Sequence, residues 1–175
     1  MPWIAIPYSD EKSRNELSDH FEVESVPTLI ILDKDFSVIT SEGVGAVSEG
    51  AEFPYRPKPL NILAPHLLSV VNGGPTFIAF TTADEADPLY STLLPLAEKY
   101  VADKKEISFF VSGNDGLGGR IRDFASLPQN EKVMVILDIP SQAKYVSEDE
   151  ITLDNVKTFV EGFLNKTLTA KPIRE

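Results

Sequence analysis

The sequence predicts an α/β fold: a mixed β-sheet flanked by helices, built as one complete C-terminal domain with part of another ahead of it. Three observations predict it. Short apolar runs of strand length alternate with longer stretches whose apolar residues recur every three or four positions, the two periods of strand and helix. Two of the strand-like runs, Ile30-Ile31-Leu32-Asp33 and Val135-Ile136-Leu137-Asp138, repeat at a constant offset of 105 residues and in the same order of elements. Between the copies, Phe53-Pro54-Tyr55-Arg56-Pro57-Lys58-Pro59 stiffens the chain toward polyproline II and reads as an interdomain strap. The expected division is residues 1–58 and 59–175.

In the first part, residues 3–8 are short, apolar and β-friendly, a strand. Ser9-Asp10 offers an N-cap, and residues 11–21 follow as a helix with Leu17 and Phe21 on one face. Val26-Pro27 ends it, because the residue before a proline is pushed out of the α region. Residues 28–32 form a β-branched and apolar run of the kind buried on both faces of a sheet. Asp33-Lys34-Asp35 turns the chain, and residues 36–40 return as a strand. Residues 41–59 lose periodicity and read as loop and strap.

In the second part, residues 60–71 read as a helix interrupted at Pro65 and closed by Asn72-Gly73-Gly74. Residues 76–81 are a strand. Asp87 is placed as N-cap, with Pro88 at the first position of a helix running to about residue 105 and kinked at Pro95. Residues 107–111 are a strand, 113–119 a glycine-rich turn and 120–126 a short helix. Residues 133–137 form another buried strand with 144–146 as hairpin mate. Thr152 caps a last helix showing Val156, Phe159, Val160, Phe163 and Leu164 at helical spacing.

Composition excludes several chemistries. With 27 acidic and 16 basic residues the net charge is −11, spread along the chain rather than gathered in a tail. Nucleic acid and anionic membranes want a basic footprint, so neither is an expected partner. The chain contains no cysteine, so disulfides, thiolate metal sites and thiol catalysis by its own residues are excluded. No basic leader precedes an apolar core at the start, and no apolar run approaches the roughly 20 residues that span a bilayer.

Other candidate residues read as structural. His20 and His66 lack partners at metal-ligand spacing, so no metal site is expected. Gly113-Asn114-Asp115-Gly116-Leu117-Gly118-Gly119 lacks the Gly-Lys-Ser/Thr ending of a phosphate loop. Asp84-Glu85-Asp87 and Glu148-Asp149-Glu150 are acids at helix starts, and Trp3 reads as packing. No catalytic residue and no cofactor is expected.

Four stretches carry a resemblance: Met1-Pro2-Trp3-Ile4-Ala5-Ile6-Pro7-Tyr8, Val26-Pro27-Thr28-Leu29-Ile30-Ile31-Leu32-Asp33, Phe53-Pro54-Tyr55-Arg56-Pro57-Lys58-Pro59, and the ending from Ala143-Lys144-Tyr145-Val146 to Lys171-Pro172-Ile173-Arg174-Glu175. Together they resemble the nucleoredoxin family, thioredoxin-like proteins related to tryparedoxins. The resemblance implies tandem thioredoxin-like domains and a thiol-disulfide reductase that also binds signalling proteins, in cytosol and nucleus. It implies a Trp-Cys-Pro-Pro-Cys site upstream of Met1, hence an N-terminally shortened form, either an isoform, a fragment or an incomplete gene model. It implies that Pro27 is a cis-proline, with Val26, Pro27 and Thr28 forming the loop on which a substrate backbone docks. In the second copy Glu131-Lys132-Val133 stands where the proline would be.

The thioredoxin order also implies a missing element. Its leading strand lies mid-sheet, and the first copy starts after that strand, leaving residues 4–8 without a neighbour. Two functions follow as expectations. The first is a non-catalytic, protein-binding thioredoxin-like module. The alternative is a fragment of an active protein-disulfide reductase.

Overall fold

The structure is a computed structural model that describes residues 4–113, 116–129 and 131–174. The chain divides into two compact units, Met1–Tyr55 and Arg56–Glu175.

The first unit is short of partners. Helix α1 (Glu11–His20) starts at Asp10, whose carboxylate accepts from the Ser13 N–H at 3.2 Å and the Ser13 hydroxyl at 2.8 Å. None of its residues is buried, and Leu17 is exposed. The predicted strand over 4–8 does not form: Ile4 is 100% and Tyr8 91% exposed, without ladder hydrogen bonds. The predicted strand over 28–32 shrinks to β1 (Ile31–Leu32), paired antiparallel with β2 (Val38–Thr40). The reason is common to both. A strand needs a ladder on at least one side, and β1 has only β2 beside it. Phe36 lies in the turn between them at φ +66° and is mostly exposed.

Residues 43–48, expected as loop, form helix α2 (Gly43–Ser48). Gly43 makes this possible. Its N–H donates to the Leu29 carbonyl at 2.9 Å, and a Cβ there would sit 2.5 Å from the same oxygen.

The second unit is a six-stranded mixed sheet between two layers of helix. Its strands are β3 (Leu60–Ile62), β4 (Thr76–Phe80), β5 (Ser108–Ser112), β6 (Val133–Asp138), β7 (Ala143–Ser147) and β8 (Lys171–Pro172). They lie in the order β3-β5-β4-β6-β7-β8. The pairs β3–β5 and β4–β5 are parallel; β4–β6, β6–β7 and β7–β8 are antiparallel. Strand β4 is central and buried along its whole length.

Side chains of successive strand residues point to opposite faces, and two cores follow. Phe77, Ala79, Phe109, Val111, Met134 and Ile136 pack on one face. Helices α4 (Ala83–Ala102) and α6 (Leu153–Leu164) cover it with Leu93, Leu96, Val156 and Phe159. Ile78, Phe80, Phe110, Val133, Val135 and Leu137 face the other way. There α3 (Leu68–Gly73) and α5 (Gly116–Phe124) supply Val71 and Ile121. Each such large side chain contributes about 1.5–3 kcal/mol by leaving water.

Three expectations for this unit are corrected. Leu60–Ile62 is an edge strand, not the start of a helix: pairing with Phe109–Val111 overrides the local pattern, and Pro65 opens a short 3₁₀ turn (Pro65–Leu67) before α3. Helix α4 begins at Ala83 after Thr82, well before Asp87. Pro88 and Pro95 both fall inside it on its exposed side, where water can take the carbonyls they leave unpaired. Helix α5 begins at Gly116, inside the expected turn; Asn114 and Asp115 of that turn lie outside the described residues. The last helix starts at its Thr152 cap, whose hydroxyl accepts from the Asn155 N–H at 3.3 Å.

Candidate functional site

In the first unit the loop after α1 carries Val26, Pro27 and Thr28. The chain leaves the helix through Val23, whose N–H donates to the Ser18 carbonyl at 2.9 Å. The Val26–Pro27 peptide bond is cis. The Thr28 hydroxyl donates to the Ser25 carbonyl at 2.5 Å and closes the loop on itself. Downstream, the Leu29 carbonyl is held by the Gly43 N–H, so α2 fixes the far end of the loop.

Val26 is 93% exposed, and among the described residues neither its N–H nor its carbonyl has a hydrogen-bond partner. Beside it opens a cavity of about 230 Å³. Pro27, Thr28, Leu29 and Val44 line it together with Glu22, Glu24 and Glu42. Chemically the loop offers an unpaired peptide group, a rigid proline edge and a carboxylate rim. It holds no thiol.

Lys132 stands at the position equivalent to Pro27 in the second unit, 105 residues on. Its ammonium donates to Glu85 Oε1 at 2.6 Å, while the hydroxyls of Thr81 and Thr82 donate to Glu85 Oε2 at 2.8 and 3.1 Å. These donors, Lys132 foremost, hold the Glu85 carboxyl at about 2, below its ordinary 4.5. The first turn of α4 therefore carries its own anion, favourably placed at a helix N-terminus. Glu85 stood in the sequence only as a helix-start acid. The overlooked signal is Thr82-Ala83-Asp84-Glu85, the spacing of a capping box.

Two buried cations were not singled out from the sequence. Arg122, at the end of α5, is 1% exposed. Its guanidinium lies 4.5 Å over the Phe80 ring and donates to the carbonyls of Pro128 and of Glu131, the latter at 2.8 Å. Its Nε is buried without a partner. Burial pushes its pKa below the ordinary value, with Glu131 acting in the opposite sense. Arg122 thus moors the loop that presents Lys132. Lys144 on β7, 3% exposed, donates to the carbonyls of Ala125 at 2.7 Å and Ile173 at 3.2 Å, tying α5 and the C-terminal strand to the sheet.

His20 is exposed at the end of α1, its ring 4.7 Å from that of Phe21. Among the described residues no group of three or more His, Asp or Glu side chains is placed to hold a metal ion, and no helix is long and apolar enough to cross a membrane. Trp3 lies outside the described residues.

The order β-α-β-α-β-α-β-β-α from β3 to α6, with the first strand at the edge and the second in the middle, gives this chain a thioredoxin-like fold. A family model described as Thioredoxin-like matches residues 1–38, and the crystal structure of the bb fragment of ERp72 has the same fold, with a TM-score of 0.51 at 15% identity over 89% of this chain and 74% of that one. The chain is similar to nucleoredoxin along nearly its whole length. It is 36% identical to the Danio rerio and Homo sapiens nucleoredoxins and 37% to that of Xenopus laevis, each over 99% of this chain. It spans 44%, 43% and 45% of their respective lengths.

Proposed function

We propose that this chain is a non-catalytic, protein-binding thioredoxin-like module that docks an extended partner segment along Val26, Pro27 and Thr28. One observation carries the reading: an exposed loop whose Val26 peptide group has no partner, at the mouth of a cavity. An extended chain laid beside Val26 would satisfy both backbone groups, as strand addition does elsewhere. The absence of cysteine supports the non-catalytic half, since disulfide reduction needs a thiolate to attack the disulfide. The proposed partners are proteins, including signalling proteins, met in the cytosol and nucleus. Support for partners and compartments is the likeness to nucleoredoxins.

The test has two parts. Insulin disulfide reduction by the pure chain should be undetectable; measurable turnover overturns the non-catalytic claim. An immobilised panel of extended peptides should bind the chain, and Val26→Pro, which removes the N–H that would pair, should abolish the signal. Binding unchanged by Val26→Pro overturns the docking site.

A second reading rests on length. The chain spans less than half of the nucleoredoxins it matches, so it is alternatively one portion of a protein-disulfide reductase. A transcript that continues upstream into Trp-Cys-Pro-Pro-Cys would favour that reading.

A further inference from the structure

Charge is divided unequally between the two units. Residues 1–55 hold eleven acidic and three basic side chains, a net −8 of the chain's −11. Residues 56–175 hold sixteen and thirteen, a net −3 in more than twice the length. The charge forms no tail, but most of the excess lies in the unit that carries the Val26 loop.

Within that unit the negative charge reaches the loop's cavity. Glu22, Glu24 and Glu42 line it, and no Lys, Arg or His does. The unit's basic residues are placed elsewhere. Lys12 pairs with Glu16 along α1 at 3.7 Å, Arg14 lies 4.6 Å over the Tyr8 ring, and Lys34 sits in the turn between β1 and β2. Among the described residues the three rim glutamates have no ion-pair partner. The exposed apolar side chains of Leu29 and Val44 line the cavity with them, and the exposed Val26 adjoins its Pro27.

Those features select an occupant. The unpaired peptide group of Val26 asks for an extended backbone. Side chains of an extended segment alternate in direction, so apolar ones could cover Val26, Leu29 and Val44 while the alternate set reaches the rim. Groups at the rim lie within a Debye length, about 8 Å in physiological salt, of any chain in the groove. A cationic set is attracted there and an acidic one repelled.

Resting on the docking reading above, we propose that the groove beside Val26 and Pro27 takes a basic extended segment of a partner protein, alternating apolar with Lys or Arg side chains, and that Glu22, Glu24 and Glu42 read its charge.

The experiment uses the full chain and three fluorescein-labelled extended peptides of equal length, valine alternating with arginine, with glutamine or with glutamate, followed by anisotropy. The arginine peptide should bind best and the glutamate peptide should not bind. Added salt, and the near-isosteric triple variant E22Q/E24Q/E42Q, should each weaken the arginine peptide by roughly tenfold, from three exposed charge pairs. Binding of the glutamine peptide should not change. Equal, salt-independent binding of the arginine and glutamine peptides overturns the charge reading and leaves the docking site standing. Arginine-peptide binding that survives the triple variant also overturns it. If no peptide binds, both readings fall. Backbone hydrogen exchange over residues 22–48 checks that the variant keeps its structure.

Discussion

Lys132 Nζ sits 2.6 Å from Glu85 Oε1 where the equivalent loop of the first unit places Pro27. One position thus has two outcomes. In the first unit it leaves a peptide group open beside a cavity. In the second, an ammonium reaches across to the first turn of α4 and neutralises a carboxylate that Thr81 and Thr82 also hold.

The Glu85 cluster predicts an acid-side stability difference. The folded carboxyl is held at about 2, below its ordinary 4.5. A depressed folded pKa contributes stability that is present above 4.5 and lost as pH falls toward 2. Glu85→Gln should remove that dependence. Urea unfolding of the second unit from pH 6 down to about 2 should show wild type converging on the variant. Parallel curves would mean that the cluster contributes nothing.

Arg122 predicts a larger effect. Arg122→Ala strands the carbonyls of Pro128 and Glu131 and empties the space against Phe80. Charge-assisted hydrogen bonds and a buried void together should cost about 2–4 kcal/mol in chemical denaturation. Arg122→Lys should recover little, because one ammonium cannot reproduce the planar fork.

Lys144 predicts a local release. Lys144→Met keeps the aliphatic stem but loses both carbonyl contacts. Amide exchange should accelerate at Ile173, which is buried in the second core, before it changes in β4. The expected global cost is about 1–3 kcal/mol. Unchanged exchange at Ile173 would refute the tie.

Gly43 predicts a loss confined to the first unit. A Cβ would lie 2.5 Å from the Leu29 carbonyl, a backbone atom that cannot swing aside. Gly43→Ala should break the Gly43 N–H to Leu29 bond, costing about 1–3 kcal/mol. Exchange should rise over residues 29–48 while β4 to β6 stay protected.

What the sequence determined by itself is the interior of the second unit and the chemistry the chain lacks. Strands such as Thr76–Phe80 and Val133–Asp138 and the α6 pattern show their own periods, because burial on fixed faces dictates which residues can stand there. Zero cysteine is equally direct, and so is the repeat that aligns Pro27 with Lys132. Only the tertiary structure decided the rest. Leu60–Ile62 becomes a strand because Phe109–Val111 offers a ladder, and residues 4–8 fail to become one because none is offered. Arg122 and Lys144 look like surface residues in sequence, since nothing local reports the distant carbonyls that let a cation be buried. The groove beside Val26 is likewise a tertiary product: Gly43 and α2, some fifteen residues downstream, close on Leu29 and bring Glu42 to the loop that Pro27 begins.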